Sequence, residues 1–286
     1  MNFINILNHI LRPLEWVVAQ LLTLFHHALV TFGMTAGPSP AWGIAIMCLV
    51  LVIRICLLPL FLSQMRAMQR IQVLQPQIQR IQHKYAARKD PRSKEAMQRE
   101  IMALQQRYNA NPLGSCLPSL IQAPILCSLF YTLQSLPAIA DGNAEPLGGI
   151  DHTMAGDIES SSIFGVRIAD SFGTVASPQS RIIIGVAVAL MCLTLFAIQW
   201  MLIHRNTSKD AMVSPQFRVQ KMTVFVFPAI YVVSGATLPF GVLLYWLTNN
   251  LWNLGQTLCQ LRWFPTPGSA AGERKARRDY EQDNRR

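Results

Sequence analysis

Residues 41–62 read AWGIAIMCLVLVIRICLLPLFL, an apolar run whose one ionisable side chain is Arg54. An α-helix rises about 1.5 Å per residue, so the run is about 33 Å long, enough for a hydrocarbon core of about 30 Å. Working outward, four more runs fit the same template: 113–136, opening LGSCLPSLIQAPILCSLF; 181–203, RIIIGVAVALMCLTLFAIQWMLI; 221–238; and 241–262. The last two are joined by Leu238-Pro239-Phe240-Gly241, a turn sequence. Composition agrees. Of 286 residues, 51% are hydrophobic and only 14% charged, against about 25% charged in ordinary globular chains. The expected fold class is an all-α integral membrane protein with a five-span core.

The segments between the spans carry the charge, and they carry it unevenly. Residues 63–112 hold ten lysines and arginines against Asp90, Glu95 and Glu100. Residues 137–180 hold Arg167 and six acids: Asp141, Glu145, Asp151, Asp157, Glu159 and Asp170. Basic loops stay in the cytoplasm, so 63–112, 204–220 and the basic tail 263–286 are expected inside and 137–180 outside. The net charge of +10 then reads as attraction to anionic lipids rather than to a specific nucleic acid.

Residues 1–36 carry Phe3, Ile6, Leu7, Ile10, Leu14, Val17, Val18, Leu21 and Phe25 at amphipathic spacing. Glu15, Gln20, His26 and His27 interrupt an otherwise nearly apolar 14–34. The expectation is an amphipathic helix on the outer surface rather than a sixth span. Without a basic stretch ahead of an apolar core, a cleaved signal peptide is not expected.

The basic segment has a pattern of its own. Ile71, Leu74, Ile78, Ile81 and Tyr85 recur at steps of three and four, as do Met97, Ile101, Leu104 and Tyr108 after Lys89-Asp90-Pro91. Two such stripes around a breaker predict a cytoplasmic antiparallel helical hairpin, kinked at Pro76. Arg80, Lys84, Arg88, Lys89, Arg92 and Lys94 are its candidate partner-binding face, with a merely solvated face as the alternative.

Six cysteines lie within or beside apolar runs at no metal-ligand spacing, and buried thiols behave as small hydrophobes. Neighbouring His26 and His27 point to different helix faces and read as interfacial. No nucleophile–base pair, metal cluster or phosphate-binding loop is present in the sequence. An enzyme, a cofactor and a metal site are therefore not expected.

Arg54 precedes the expected cytoplasmic boundary by about eight residues, or about 12 Å. A charge at that depth costs at least about 3 kcal/mol without a partner, and no span holds a carboxylate. Water is the expected partner. Gln122, Thr194 and Asn253 sit at similar depths, and Tyr245, Asn249, Asn253 and Gln256 follow one helical face. For Ser115, Ser119, Asn249 and Asn250 two roles stay open: lining a wet groove, or bonding helices together. Gly185 and Ala189 look like a small-residue packing face.

Arg54, Pro59-Leu60, LQPQIQ (74–79), NPLGSCLP (111–118), LIQAPI (120–125), VFP (226–228), LPFGVLLYWLTNN (238–250) and Gln256 together resemble the YidC/Oxa/Alb family of membrane protein insertases. The similarity covers about 12–262 and is strongest toward its bacterial, actinobacterial-like members. It implies five core spans, an outer amphipathic helix, a cytoplasmic hairpin, and a hydrophilic groove open to cytoplasm and lipid. It further implies that Arg54, Gln122, Ser119, Thr194, Tyr245, Trp246, Asn249, Asn253 and Gln256 line that groove. Some members carry a threonine one turn before the arginine, where this chain has Val50. Features of members with a large extracellular domain or a lipoprotein cysteine are not carried over.

The implied activity is insertion and chaperoning of membrane proteins in the bacterial cell membrane without nucleotide hydrolysis, with the C-terminus cytoplasmic. Nascent membrane proteins are the implied partners, and the Sec translocon, ribosome and targeting receptor are candidates. Alternatives are a chaperone that does not insert, or a small-solute channel, the latter disfavoured by the missing intramembrane carboxylates.

Overall fold

The structure, a computed structural model, describes residues 3–87, 90–110, 117–213 and 215–284, with the side chains of 3–10, 117–121, 213, 215 and 216 outside that description. Helices dominate. In chain order they are α1 (Phe3–Thr31), α2 (Pro40–Cys56), α3 (Leu58–Val73), α4 (Gln75–Tyr85), α5 (Pro91–Arg107), α6 (Leu117–Ala140), α7 (His152–Ser160), α8 (Pro178–Arg205), α9 (Pro215–Thr237), α10 (Phe240–Trp263) and α11 (Ala270–Asp283). One two-stranded hairpin, β1 (Ser162–Ile163) and β2 (Val166–Arg167), pairs Ser162 with Arg167 and Ile163 with Val166.

Among the described residues, Leu11–Thr31, Gln122–Ala140, Pro178–Arg205 and Phe217–Thr237 are each long and apolar enough to cross a membrane, and α2 with α3 makes a fifth if counted as one span. One expectation needs adjusting. The run 41–62 is not one helix: it breaks at Leu57, because Pro59 lacks an amide N–H and its ring crowds the carbonyl four residues back. The kink expected at Pro76 is present as a like break, at Leu74. The amino-terminal helix meets the length and apolarity of a span from Leu11 onward, and those two properties do not separate a span from the expected interfacial helix.

The contacts fall into two compact units, one of 1–56, 119–194 and 228–252, the other of 57–118, 195–227 and 253–286. In the first, Val18, Ala19 and Leu22 of α1 pack with Trp42, Ile46 and Leu49 of α2, Leu129 and Leu136 of α6 and Tyr245 of α10. The buried stripe of α1 is rotated from the expected one, since Val17 is exposed and His26 buried. His26 stacks on the Trp42 ring at 3.8 Å; only His27 stays on the surface.

The acidic segment 137–180 folds into a cap. Ile150, Ile158, Ile163, Val166, Ile168 and Val175 are all buried. Its hairpin turns through Phe164 and Gly165, both at positive φ, the geometry of a two-residue turn matched to strand twist. Gly43 of α2 leaves the space that the Ile163 side chain fills. The small-residue face expected at Gly185 and Ala189 is not a packing seam among the described residues: none of them lies over Gly185, and Ala189 is exposed. The close approach is made instead by Gly235 of α9, against Val188.

In the second unit, α4 and α5 pack together along a shared apolar seam. Leu74 and Ile78 are buried with Ala110, and Ile71, Ile101 and Leu104 pack on them. The Asp90 carboxylate accepts from the Ser93 amide at 2.8 Å and Pro91 opens the helix, a start signal that satisfies an orphan donor. The tail, expected only to be basic, folds into α11 behind an elbow. Ser269 caps it by accepting from the Gly272 amide, and Asn206 accepts from the Thr266 amide at 2.9 Å.

Candidate functional site

The register of α10 decides which polar groups meet, and its amino-terminal end is fixed first. The amides of Phe240 and Gly241 donate to the carbonyls of Asp170 (2.7 Å) and Ile168 (2.9 Å) in the cap. These bonds satisfy donors that every helix start leaves open. They need a glycine at 241, since a Cβ there would lie 2.7 Å from the Ile168 side chain. With the start pinned, Tyr245 and Asn249, one turn apart, share a face.

Each residue on that face takes a partner from a different helix. Arg54 of α2 donates from Nε to Asn249 Oδ1 at 2.7 Å, and from Nη2 to the same oxygen. Gln122 of α6 donates from Nε2 to the Tyr245 hydroxyl. Beside them Trp246 lies against the Tyr231 ring of α9, centroids 5.0 Å apart. Arg54 makes no ion pair among the described residues. A neutral amide oxygen therefore takes the place where a carboxylate would neutralise the charge.

The Thr194 hydroxyl donates to the carbonyls of Leu190 and Met191 on its own helix, at 2.8 and 3.0 Å. Asn253 and Gln256 fall in the other compact unit, where the Asn253 carbonyl accepts from Thr257. The Ser119 side chain lies outside the described residues, as do Arg88 and Lys89. On the hairpin, Arg80, Arg92 and Lys94 are exposed, while Lys84 bonds both Glu100 oxygens at 3.1 and 2.9 Å. That bond raises the Lys84 pKa and lowers that of Glu100. The part played by Tyr231 was not foreseen. Its signal was a hydroxyl within the apolar run of α9, since a buried Tyr O–H seeks a polar neighbour.

Cys48, Cys56, Cys127, Cys192 and Cys259 are free thiols. No group of three or more potential metal ligands occurs among the described residues. The arrangement can hold a cation inside apolar surroundings and offer N–H donors to oxygen ligands.

Comparison with known proteins matches residues 34–266 to the family model described as 60Kd inner membrane protein. The chain is similar to a protein of Bifidobacterium longum named membrane protein insertase YidC, 42% identical over all of this chain and 85% of that protein. Proteins of the same name from Streptomyces avermitilis (34% identity, 93% of this chain, 61% of that one) and Tropheryma whipplei (31%, 96% and 90%) are also similar.

Proposed function

This chain belongs to the 60Kd inner membrane protein family, and on that premise we propose that it inserts membrane proteins into the bacterial cell membrane and assists their assembly. Its helices are long and apolar enough for a multi-pass membrane protein. Relatives along its whole length are named insertases.

The carrying observation is Arg54 bonded to Asn249 amid apolar helices. A guanidinium has five N–H donors; two are used on Asn249. The others are available to water and to the carboxylates or carbonyls of a polar segment crossing from the cytoplasm. A wet notch shortens the apolar path such a segment must traverse, and each charged residue carried through hydrocarbon otherwise costs about 3 kcal/mol or more. Once the segment is across, its apolar helix leaves for lipid along the spans, and burial in hydrocarbon drives the step without nucleotide hydrolysis. Gln122, Tyr245, Trp246 and Asn249 shape the notch with Arg54. The basic hairpin, with Arg80, Lys84, Arg88, Lys89, Arg92 and Lys94, is the contact for ribosome, targeting receptor or Sec translocon.

The test is insertion by purified protein in vesicles of a substrate with an acidic outer tail. Arg54→Ala should reduce it at least about tenfold, matching one lost charge-assisted contact of about 1.5–3 kcal/mol, while Arg54→Lys retains most of it. Undiminished insertion by Arg54→Ala would refute the reading.

A further inference from the structure

We propose that the carboxy-terminal helix α11, with the last turns of α8 and α10, forms a binding site for the headgroup of an anionic phospholipid. A cavity of about 720 Å³ lies there, lined by Arg205, Arg262, Arg274, Arg277 and Arg278. Among the described residues only Glu273 and Glu281 line it with opposite charge, and Glu273 is drawn toward Lys209 at 3.3 Å. None of the five arginines makes an ion pair among the described residues. Arg278 gives one N–H to the Arg262 carbonyl at 2.9 Å, closing the end of α10. Five guanidiniums against two carboxylates leave the cavity with an excess of positive charge, which calls for an anion with several oxygens, and guanidinium forks match phosphate.

The cluster is held in place. Ser269 and Thr266 in the elbow are each 1% exposed, and a Cβ on Gly272 would lie 2.5 Å from the Thr266 carbonyl oxygen. The position selects a lipid over a soluble phosphate. Arg205 closes α8, which is long and apolar enough to cross a membrane, and so stands at the level where hydrocarbon meets headgroups; Arg262 stands in the last turn of α10. Leu258 and Leu261 form the apolar part of the wall, and exposed Trp263 and Phe264 supply aromatic groups suited to that interface. A phosphodiester can sit among the arginines while its acyl chain follows Leu258 into the bilayer.

The test counts lipids carried by the full chain, by native mass spectrometry, after release from nanodiscs of equal phosphatidylcholine and phosphatidylglycerol. The wild type should retain phosphatidylglycerol selectively. R274Q/R277Q/R278Q should lose that retention at least about tenfold, since each basic residue near an anionic surface contributes about fivefold. R205Q/R262Q, which leaves α11 untouched, should also lose it. R99Q/R107Q/K275Q removes the same charge outside the cavity and should retain it. Unchanged retention in both cavity variants, or equal loss in the control, overturns the proposal. So does displacement of the lipid by inorganic phosphate, or by an RNA duplex held more tightly through the same arginines.

Discussion

Arg54 and Asn249 are each costly alone in an apolar setting, and their bond offsets both costs. Asn249→Leu should therefore lower stability by about 1–3 kcal/mol, the penalty of orphaning a buried polar partner, read as a lower Tm in detergent. The Gln122–Tyr245 contact can be isolated by a double-mutant cycle. Gln122→Leu and Tyr245→Phe together should cost less than the two changes summed, by about 0.5–1.5 kcal/mol; strict additivity would deny the contact. At this scale the sequence made Arg54 legible, because a lone charge in an apolar run needs no structure to be noticed. Pairings were not legible, since they depend on helix rotation as well as depth. Thr194 was chosen by depth, yet its hydroxyl bonds back to its own helix. Asn249 had two open roles, and its bond to Arg54 shows how one residue ties helices together at a charged site.

Among the elements, α10 shows why hydropathy alone misjudges a functional span. It is as long as its neighbours, yet Thr248, Asn249, Asn250, Asn253 and Gln256 keep it out of the set that qualifies by apolarity. The residues that make it interesting make it hard to see. Its start rests on the cap, so Gly241→Val should cost about 1–3 kcal/mol by overpacking on Ile168 and reduce insertion, whereas Gly185→Ala, in open space, should leave both unchanged. The aliphatics of the cap are scattered rather than periodic, so its sequence shows only an acidic loop. The helical hairpin, by contrast, was legible from spacing alone, and its Lys84–Glu100 bond gives it a pH response. The Glu100 carboxyl is held below its ordinary value of 4.5, so its contribution is complete above that value and lost as pH falls through the depressed one. Lys84 is raised above 10.5, so the alkaline loss begins only beyond that value. Distance measurements between labels on α4 and α5 should show loosening in acid for wild type and none for Glu100→Gln.

For the whole molecule, the uneven loop charges predict the membrane orientation. The segment around Phe164 should react with impermeant reagents only from outside, and Arg92 on the hairpin only from within, when each is replaced by cysteine. The deciding measurement concerns the half-buried Arg54. In a background freed of the native cysteines, Arg54→Cys in sealed inside-out and right-side-out vesicles is exposed to a membrane-impermeant thiol reagent. A water-filled notch open to the cytoplasm predicts labelling in inside-out vesicles alone. A thiol unreactive in both orientations, or reactive in both, would contradict it.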